Sequence, residues 1–182
     1  MDDLSLHILD VAENSLAAGA TRIAIMIVED TVRDALTIEI EDNGRGMDAV
    51  EAARIVDPFY TTRTTRRVGL GLSLLDAAAH AANGRMEIDS KPGVGTKVVA
   101  IFQLSHIDRK PVGNIAETIT TLIAGRPEME LTYRHERDGR SVLFTTEEIR
   151  QHLDGESSTS PETLRFIREY LTQEEDGLIT NS

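Results

Sequence analysis

Asp10 and Asn14 stand four residues apart near the start of the chain, a spacing that projects both side chains from one face of a helix. An amide oxygen can ligate Mg2+ or meet phosphate oxygens, and a carboxylate one turn away can orient water or a metal's hydration shell. A solvated polar helix face would look the same. Further on, Asp42-Asn43-Gly44-Arg45-Gly46-Met47 sets a carboxylate ahead of two glycines. Such a carboxylate can accept from an exocyclic amine such as that of adenine, and the glycines let backbone approach a base. A plain acidic turn is the alternative. Asp57 to Arg63, continuing into Arg66 and Arg67, holds the densest basic cluster of the chain. It suits phosphate neutralisation, although a solvated loop would carry the same charges. Directly after it, Gly69-Leu70-Gly71-Leu72-Ser73-Leu74 opens a helix with glycines, so its N–H groups form an anion site. Gly93, Gly95 and Thr96 add a turn whose hydroxyl could reach the base region.

Positioning these groups takes a helix over residues 3–18, where Leu4, Ile8, Val11 and Ala12 recur near the helical period and Gly19 is the C-cap. Strands are expected over 21–28 and 35–41, then the DNGRGM loop and a short helix over 49–55. After the Pro-broken segment, a helix runs from Gly69 or Gly71 to about Ala82. Strands over 85–90 and 96–104 flank the turn KPGVG. The order αββ–αα–ββ describes an α+β fold, a two-layer α/β sandwich with one mixed sheet and helices on one face. A small C-terminal α/β extension should follow: a helix over 112–125, a hairpin of 129–136 and 141–145, and a helix over 147–153. The stretch GESSTSP reads as a linker to a terminal helix over 162–173. The expected units are therefore 1–104, 105–153 and 154–182.

Composition narrows the function classes. The 182 residues carry a net charge of -12, shared evenly between 1–104 and 105–182, so no broad basic face exists to grip nucleic acid. With no cysteine, disulfides, thiolate metal sites and a Cys nucleophile are excluded. No apolar run approaches the roughly 20 residues of a membrane span, and the acidic N-terminus is not a signal peptide. The expectation is a soluble, cytoplasmic protein with no membrane or nucleic-acid partner.

In this order and spacing, the four motifs resemble the N, first G, F and second G boxes of the GHKL superfamily, whose Bergerat fold binds ATP in histidine kinases, gyrase and mismatch-repair ATPases. The resemblance spans residues 4–104. It implies ATP and Mg2+ as ligands, with Asn14 holding the metal and Asp42 reading adenine beside Gly44 and Gly46. Phe59 would anchor a lid of residues 47–68, and Gly69 and Gly71 would cradle the phosphates. Met47, Arg63, Arg67, Leu70, Leu72 and Thr96 complete the implied nucleotide contacts. Hydrolytic relatives usually have Glu four residues before the metal-binding Asn. Asp10 stands there instead, one methylene shorter, so it is the expected catalytic base and hydrolysis is expected to be slow. Glu13 faces about 100° away on the helix.

Glu13 to Ile23 is similar to mismatch-repair ATPases, whereas Asp57–Arg63 and Val68–Leu74 are similar to sensor histidine kinases with their short lid. None of His7, His80, His106, His135 and His152 has a phosphoacceptor setting. His7, one turn before Asp10, reads either as an orienting group or as a plain surface histidine. With three residues ahead of the first helix and too few after the site for a transducer domain, a stand-alone module is expected. The resemblance then implies an ATPase, or a kinase acting on a separate partner protein like anti-sigma-type serine kinases. A non-catalytic, ATP-gated binding module is the alternative, and a mismatch-repair-type ATPase a lesser one. Residues 111–153 are the expected partner surface, and a homodimer is compatible with the resemblance.

Overall fold

Alternation between apolar and polar side chains decides how the strands lie. In β1 (Arg22–Asp30) and β2 (Ala35–Asp42), Ile23, Ile25, Ile27, Leu36, Ile38 and Ile40 all point to one face and are buried. The intervening residues stay partly or fully exposed, so the sheet has one covered and one open face. The computed structural model describes residues 3–55, 70–153 and 157–180.

Chain order runs α1 (Leu4–Ala17), β1, β2, α2 (Ala49–Ile55), α3 (Leu70–Ala81), β3 (Arg85–Lys91) and β4 (Gly95–Gln103). Then come α4 (Ile115–Gly125), β5 (Glu130–Arg137), β6 (Arg140–Thr145), α5 (Thr146–His152) and α6 (Pro161–Thr180). The strands form one mixed sheet in the order β3-β4-β2-β1-β5-β6. All neighbours are antiparallel except β1 and β5, which are parallel. The expected two-layer sandwich is thus present, and no helix among the described residues is long and apolar enough to cross a membrane.

The hairpin after residue 128 extends this same sheet. Ile23, Ile25 and Ile27 of β1 sit level with Leu131, Tyr133 and His135 of β5, so the buried stripe continues across the junction. One apolar cluster accordingly contains Ile8 and Leu75 together with Tyr133, Phe144, Ile167 and Leu171. Capping sets the helix starts: Asp3, Asn114 and Thr145 accept from the N–H groups of Leu6, Glu117 and Glu148.

Two differences from the sequence reading have causes in packing against distant parts of the chain. Helix α6 runs past residue 173 to Thr180, although Gly177 lies in its path. Leu178 is buried, Arg140 donates to its carbonyl at 3.0 Å, and Glu175 is held by His135 and Tyr133. Packing there outweighs the roughly 1 kcal/mol that glycine costs a helix. The second difference concerns His7, which is not a surface residue: it is 1% exposed. Burial, followed by the charges of Lys110 and the N-terminus, lowers its pKa to about 4, with Asp3 opposing. The imidazole is therefore neutral at pH 7. Its Nε2 lies 3.5 Å from Lys110 Nζ, while its buried Nδ1 has no hydrogen-bond partner among the described residues.

Candidate functional site

Asp42 ends β2 level with Thr96 of β4 and Ile23 of β1. Two groups fix its carboxylate. Gly44 N–H donates to Oδ1 at 2.8 Å, and the Ser15 hydroxyl donates to Oδ2 at 2.5 Å. Ser15 follows Asn14 on α1, so a single hydrogen bond ties the helix to the strand end. Composition gave no signal for this role, because Ser15 also falls on the apolar face four residues after Val11.

Across the strand end, Ser90 of β3 gathers the opposite wall. Its hydroxyl meets Thr96 Oγ1 at 2.8 Å, receives Met47 N–H at 2.8 Å and reaches Gly95 O at 3.1 Å. Gly46 crosses this wall at φ +65, where a β-carbon would fall 2.0 Å from the carbonyl oxygen of Lys91. Only glycine fits that approach. Arg45 then reaches Glu51 of α2 at 2.8 Å and links loop to helix.

These walls enclose a cavity of about 60 Å³ bounded by Asn14, Ser15, Asp42, Gly46, Met47 and Thr96, with Val11, Ile40, Ile55, Leu72 and Val98 supplying apolar sides. Polar groups collect at one end of an otherwise apolar hollow, as in small-molecule sites generally. A larger hollow of about 610 Å³ lies on the open face of the sheet and touches the same place only through Asp42 and Thr96. Its lining of Arg22, Lys91 and Lys97 against Glu41, Asp89 and Glu130 converges on no single ligand chemistry. The small cavity is the better candidate because the motif residues meet there.

Asp10 and Asn14 share a face of α1, and α3 begins against them. A β-carbon on Gly71 would come 2.9 Å from that of Asp10, so the first turn of α3 abuts the Asp10 side chain. Glu13 is exposed. The structure thus brings together Asn14, Asp42, Gly46, Met47, Leu72 and Thr96 around one cavity, with Gly44 bonded to Asp42. Asp10 and Gly71 form a second contact one helical turn away. Leu70 is the first residue of α3. Phe59, Arg63, Arg67 and Gly69 lie outside the described residues.

The oxygen-rich character of Asp10 and Asn14 fits a hard cation such as Mg2+, which takes few protein ligands and keeps phosphate and water oxygens. The cradle at Gly46 and the acceptor at Asp42 fit a flat heterocycle bearing an amine.

Comparison with known proteins agrees with this geometry. Residues 2–106 match the family described as histidine kinase-, DNA gyrase B-, and HSP90-like ATPase. A putative sensor protein of Shewanella frigidimarina is 35% identical over 111 residues, covering 59% of this chain and 17% of that protein. The sensor protein kinase FleS of Pseudomonas aeruginosa is 35% identical over 116 residues, covering 64% of this chain and 28% of the kinase. The chain therefore spans less than a third of the length of these relatives. Among solved structures, the Aquifex aeolicus MutL ATPase domain complexed with ADP superposes with a TM-score of 0.51 at 19% identity, over 80% of this chain and 63% of that one. The N-terminal domain of a DNA repair protein gives 0.54 at 16% identity, over 80% of this chain and 53% of that one. At such identities these two show the fold. Motif order, cavity and family match lead to one conclusion: this chain belongs to the histidine kinase-, DNA gyrase B- and HSP90-like ATPase family.

Proposed function

We propose that the protein binds Mg·ATP in the cavity between α1, α3 and the end of β2, and uses it as an ATPase or as a kinase toward a separate partner protein. The observation that carries this reading is the double anchoring of Asp42, whose carboxylate is held by Ser15 and Gly44 at the polar end of an apolar hollow. Asp42 would accept from the adenine amine, with Gly44, Gly46, Met47, Leu72 and Thr96 around the base. The cavity is smaller than a nucleotide, so Met47, Ile55 and Leu72 would move outward on binding, as side chains at mobile sites do. Asn14 would hold Mg2+, which supplies charge neutralisation for the phosphates.

Asp10 would act as base, with Gly71 marking where the phosphate chain enters. Residues 47–68 would serve as the lid, with Phe59 as its anchor; Arg63, Arg67, Gly69 and Leu70 would complete the phosphate contacts. The ATP-binding unit would be residues 1–104, with 105–153 and 154–182 as accessory parts. Signal transduction in the cytoplasm is the setting that the sensor-kinase relatives favour.

A second reading is a non-catalytic switch, in which ATP alone alters affinity for a partner. The shorter reach of Asp10 favours it. Phosphate release from Mg·ATP by the purified protein, beside Asn14→Ala, separates these. Turnover above the variant supports the enzyme. Tight ATP binding with no turnover and no phosphate on any partner supports the switch, and absence of ATP binding refutes both.

A further inference from the structure

The chain has only four phenylalanines and three tyrosines, and no tryptophan. Of the five aromatics among the described residues, Phe102, Tyr133 and Phe144 are buried in the core. The other two, Phe166 and Tyr170, stand four residues apart on α6, 59% and 38% exposed. Their rings stack, with centroids 6.4 Å apart and planes 17° from parallel. Such an exposed pair is out of keeping with a chain so sparing of aromatics, and aromatic residues are enriched at the cores of protein interfaces.

The helix presents them on a firm base. Ile167, Leu171 and Leu178 bury the adjoining face, about 100° round the helix. Glu175 is clamped by His135 and Tyr133 at 2.7 Å each, Arg140 holds the Leu178 carbonyl, and Arg168 meets Glu117 of α4 at 2.9 Å. Little ordering would remain to be done on binding.

Carboxylates surround the pair. Glu162 and Glu169 lie one turn before and one turn after Phe166 on the exposed side of α6. Glu174 of α6 and Glu148 of α5 come close to the Tyr170 phenol: partial burial first, then these two charges, raise its pKa. The two cations on this stretch of α6 are each beside a carboxylate: Arg165 is 4.0 Å from Glu169, and Arg168 is 2.9 Å from Glu117. A second copy of the chain would bring the same carboxylates and a net charge of -12 to the contact. Nucleic acid and anionic membranes would be repelled likewise.

We propose that Phe166 and Tyr170, with their acidic surround, form a docking surface for a partner protein's basic segment carrying apolar anchors. Apolar side chains of that segment would cover the rings, while its Lys or Arg groups would meet Glu148, Glu162, Glu169 and Glu174 and the ring faces. The site is separate from the nucleotide cavity, so its test needs no ATP.

A labelled synthetic amphipathic helix made of Leu and Lys serves as probe, followed by fluorescence anisotropy with the full chain in nucleotide-free buffer. A matched Leu and Glu peptide is the control. The expected result is saturable binding of the basic peptide only. The double change Phe166→Ser and Tyr170→Ser should weaken it roughly tenfold or more, with an unchanged circular dichroism spectrum, since neither ring is in the core. Glu148→Lys with Glu174→Lys should weaken it too and reduce its salt dependence. Failure of the basic peptide to bind, or binding unchanged by loss of the two rings, would overturn the proposal. So would equal binding of the Leu and Glu peptide, or a wild-type dimer in sedimentation that the ring changes abolish.

Discussion

His135 should make folding stability fall on the alkaline side of neutrality. It is 1% exposed, on β5 beneath α6, with Nε2 3.0 Å from Glu29 and Nδ1 2.7 Å from Glu175. Burial by itself disfavours an imidazolium, but the hydrogen bonds and charges of Glu175 and Glu29 more than reverse this and lift its pKa from 6.5 to about 9. The same bond from His135 is the largest cause of the lowered pKa of Glu29, which Arg137 also approaches at 3.1 Å. A histidine whose folded pKa exceeds its unfolded value lends its stabilisation in full below about 6.5 and loses it as pH rises toward about 9. The span corresponds to about 3 kcal/mol. His135→Gln cannot charge at any pH, so the difference between wild type and variant isolates this group from other titrations. Urea unfolding should show the wild-type advantage shrinking by about 3 kcal/mol between about pH 6 and about pH 10. In thermal melts the same change would be roughly 6–12 °C for a domain of this size. A wild-type advantage that stays constant over this range would refute the reasoning, as would an imidazole titrating near 6.5 by NMR.

Three further outcomes follow from the site and its supports. Gly46→Ala should cost more than about 2 kcal/mol in urea unfolding, because its β-carbon would meet the Lys91 carbonyl backbone at a positive φ; a variant as stable as wild type would contradict the close approach. Asp42→Asn should weaken ATP binding by about ten- to a hundredfold in calorimetry, the worth of a charged hydrogen bond, and equal affinity would remove Asp42 from base recognition. His7→Leu should be within about 1 kcal/mol of wild type at neutral pH, or more stable, since it removes a buried unpaired nitrogen. The wild-type contribution from neutral His7 is whole above 6.5 and lost as pH falls toward about 4, so the variant should also resist acid better.

What was legible in the sequence was local. Helix α2 occupies the expected residues 49–55, Gly19 closes α1 at φ +80, and Asp42 with its glycines ends β2 as the motif required. What escaped depends on partners far along the chain. Nothing near His135 announces that Glu29 and Glu175 will flank it, because neither lies within its strand or turn. The length of α6 escaped for the same reason: its last turn is held by Arg140 and the core, against the local preference of Gly177. Nothing in the sequence around Ser15 marks the role it takes once folding puts it against Asp42. His7 looked exposed because polarity alone does not reveal that the segment at Lys110–Val112 covers the start of α1, where Leu4 and Ser5 donate to Pro111 and Val112. The hairpin's shape was readable, but its place in the sheet was not, since a parallel partner is not set by a turn.

That parallel pairing has a bearing on how the chain reaches its fold. Arg22 of β1 lies opposite Glu130 of β5, so closing this pair ties off a loop of over a hundred residues. Such a closure is entropically late and slow compared with the neighbouring β1–β2 hairpin, which forms from adjacent sequence. During synthesis β1 emerges early and must wait for β5, keeping one row of backbone N–H and C=O groups unpaired beside the alternating Ile23, Ile25 and Ile27. Until the distant strand arrives, that edge is the part of the nascent chain most open to pairing with the wrong strand.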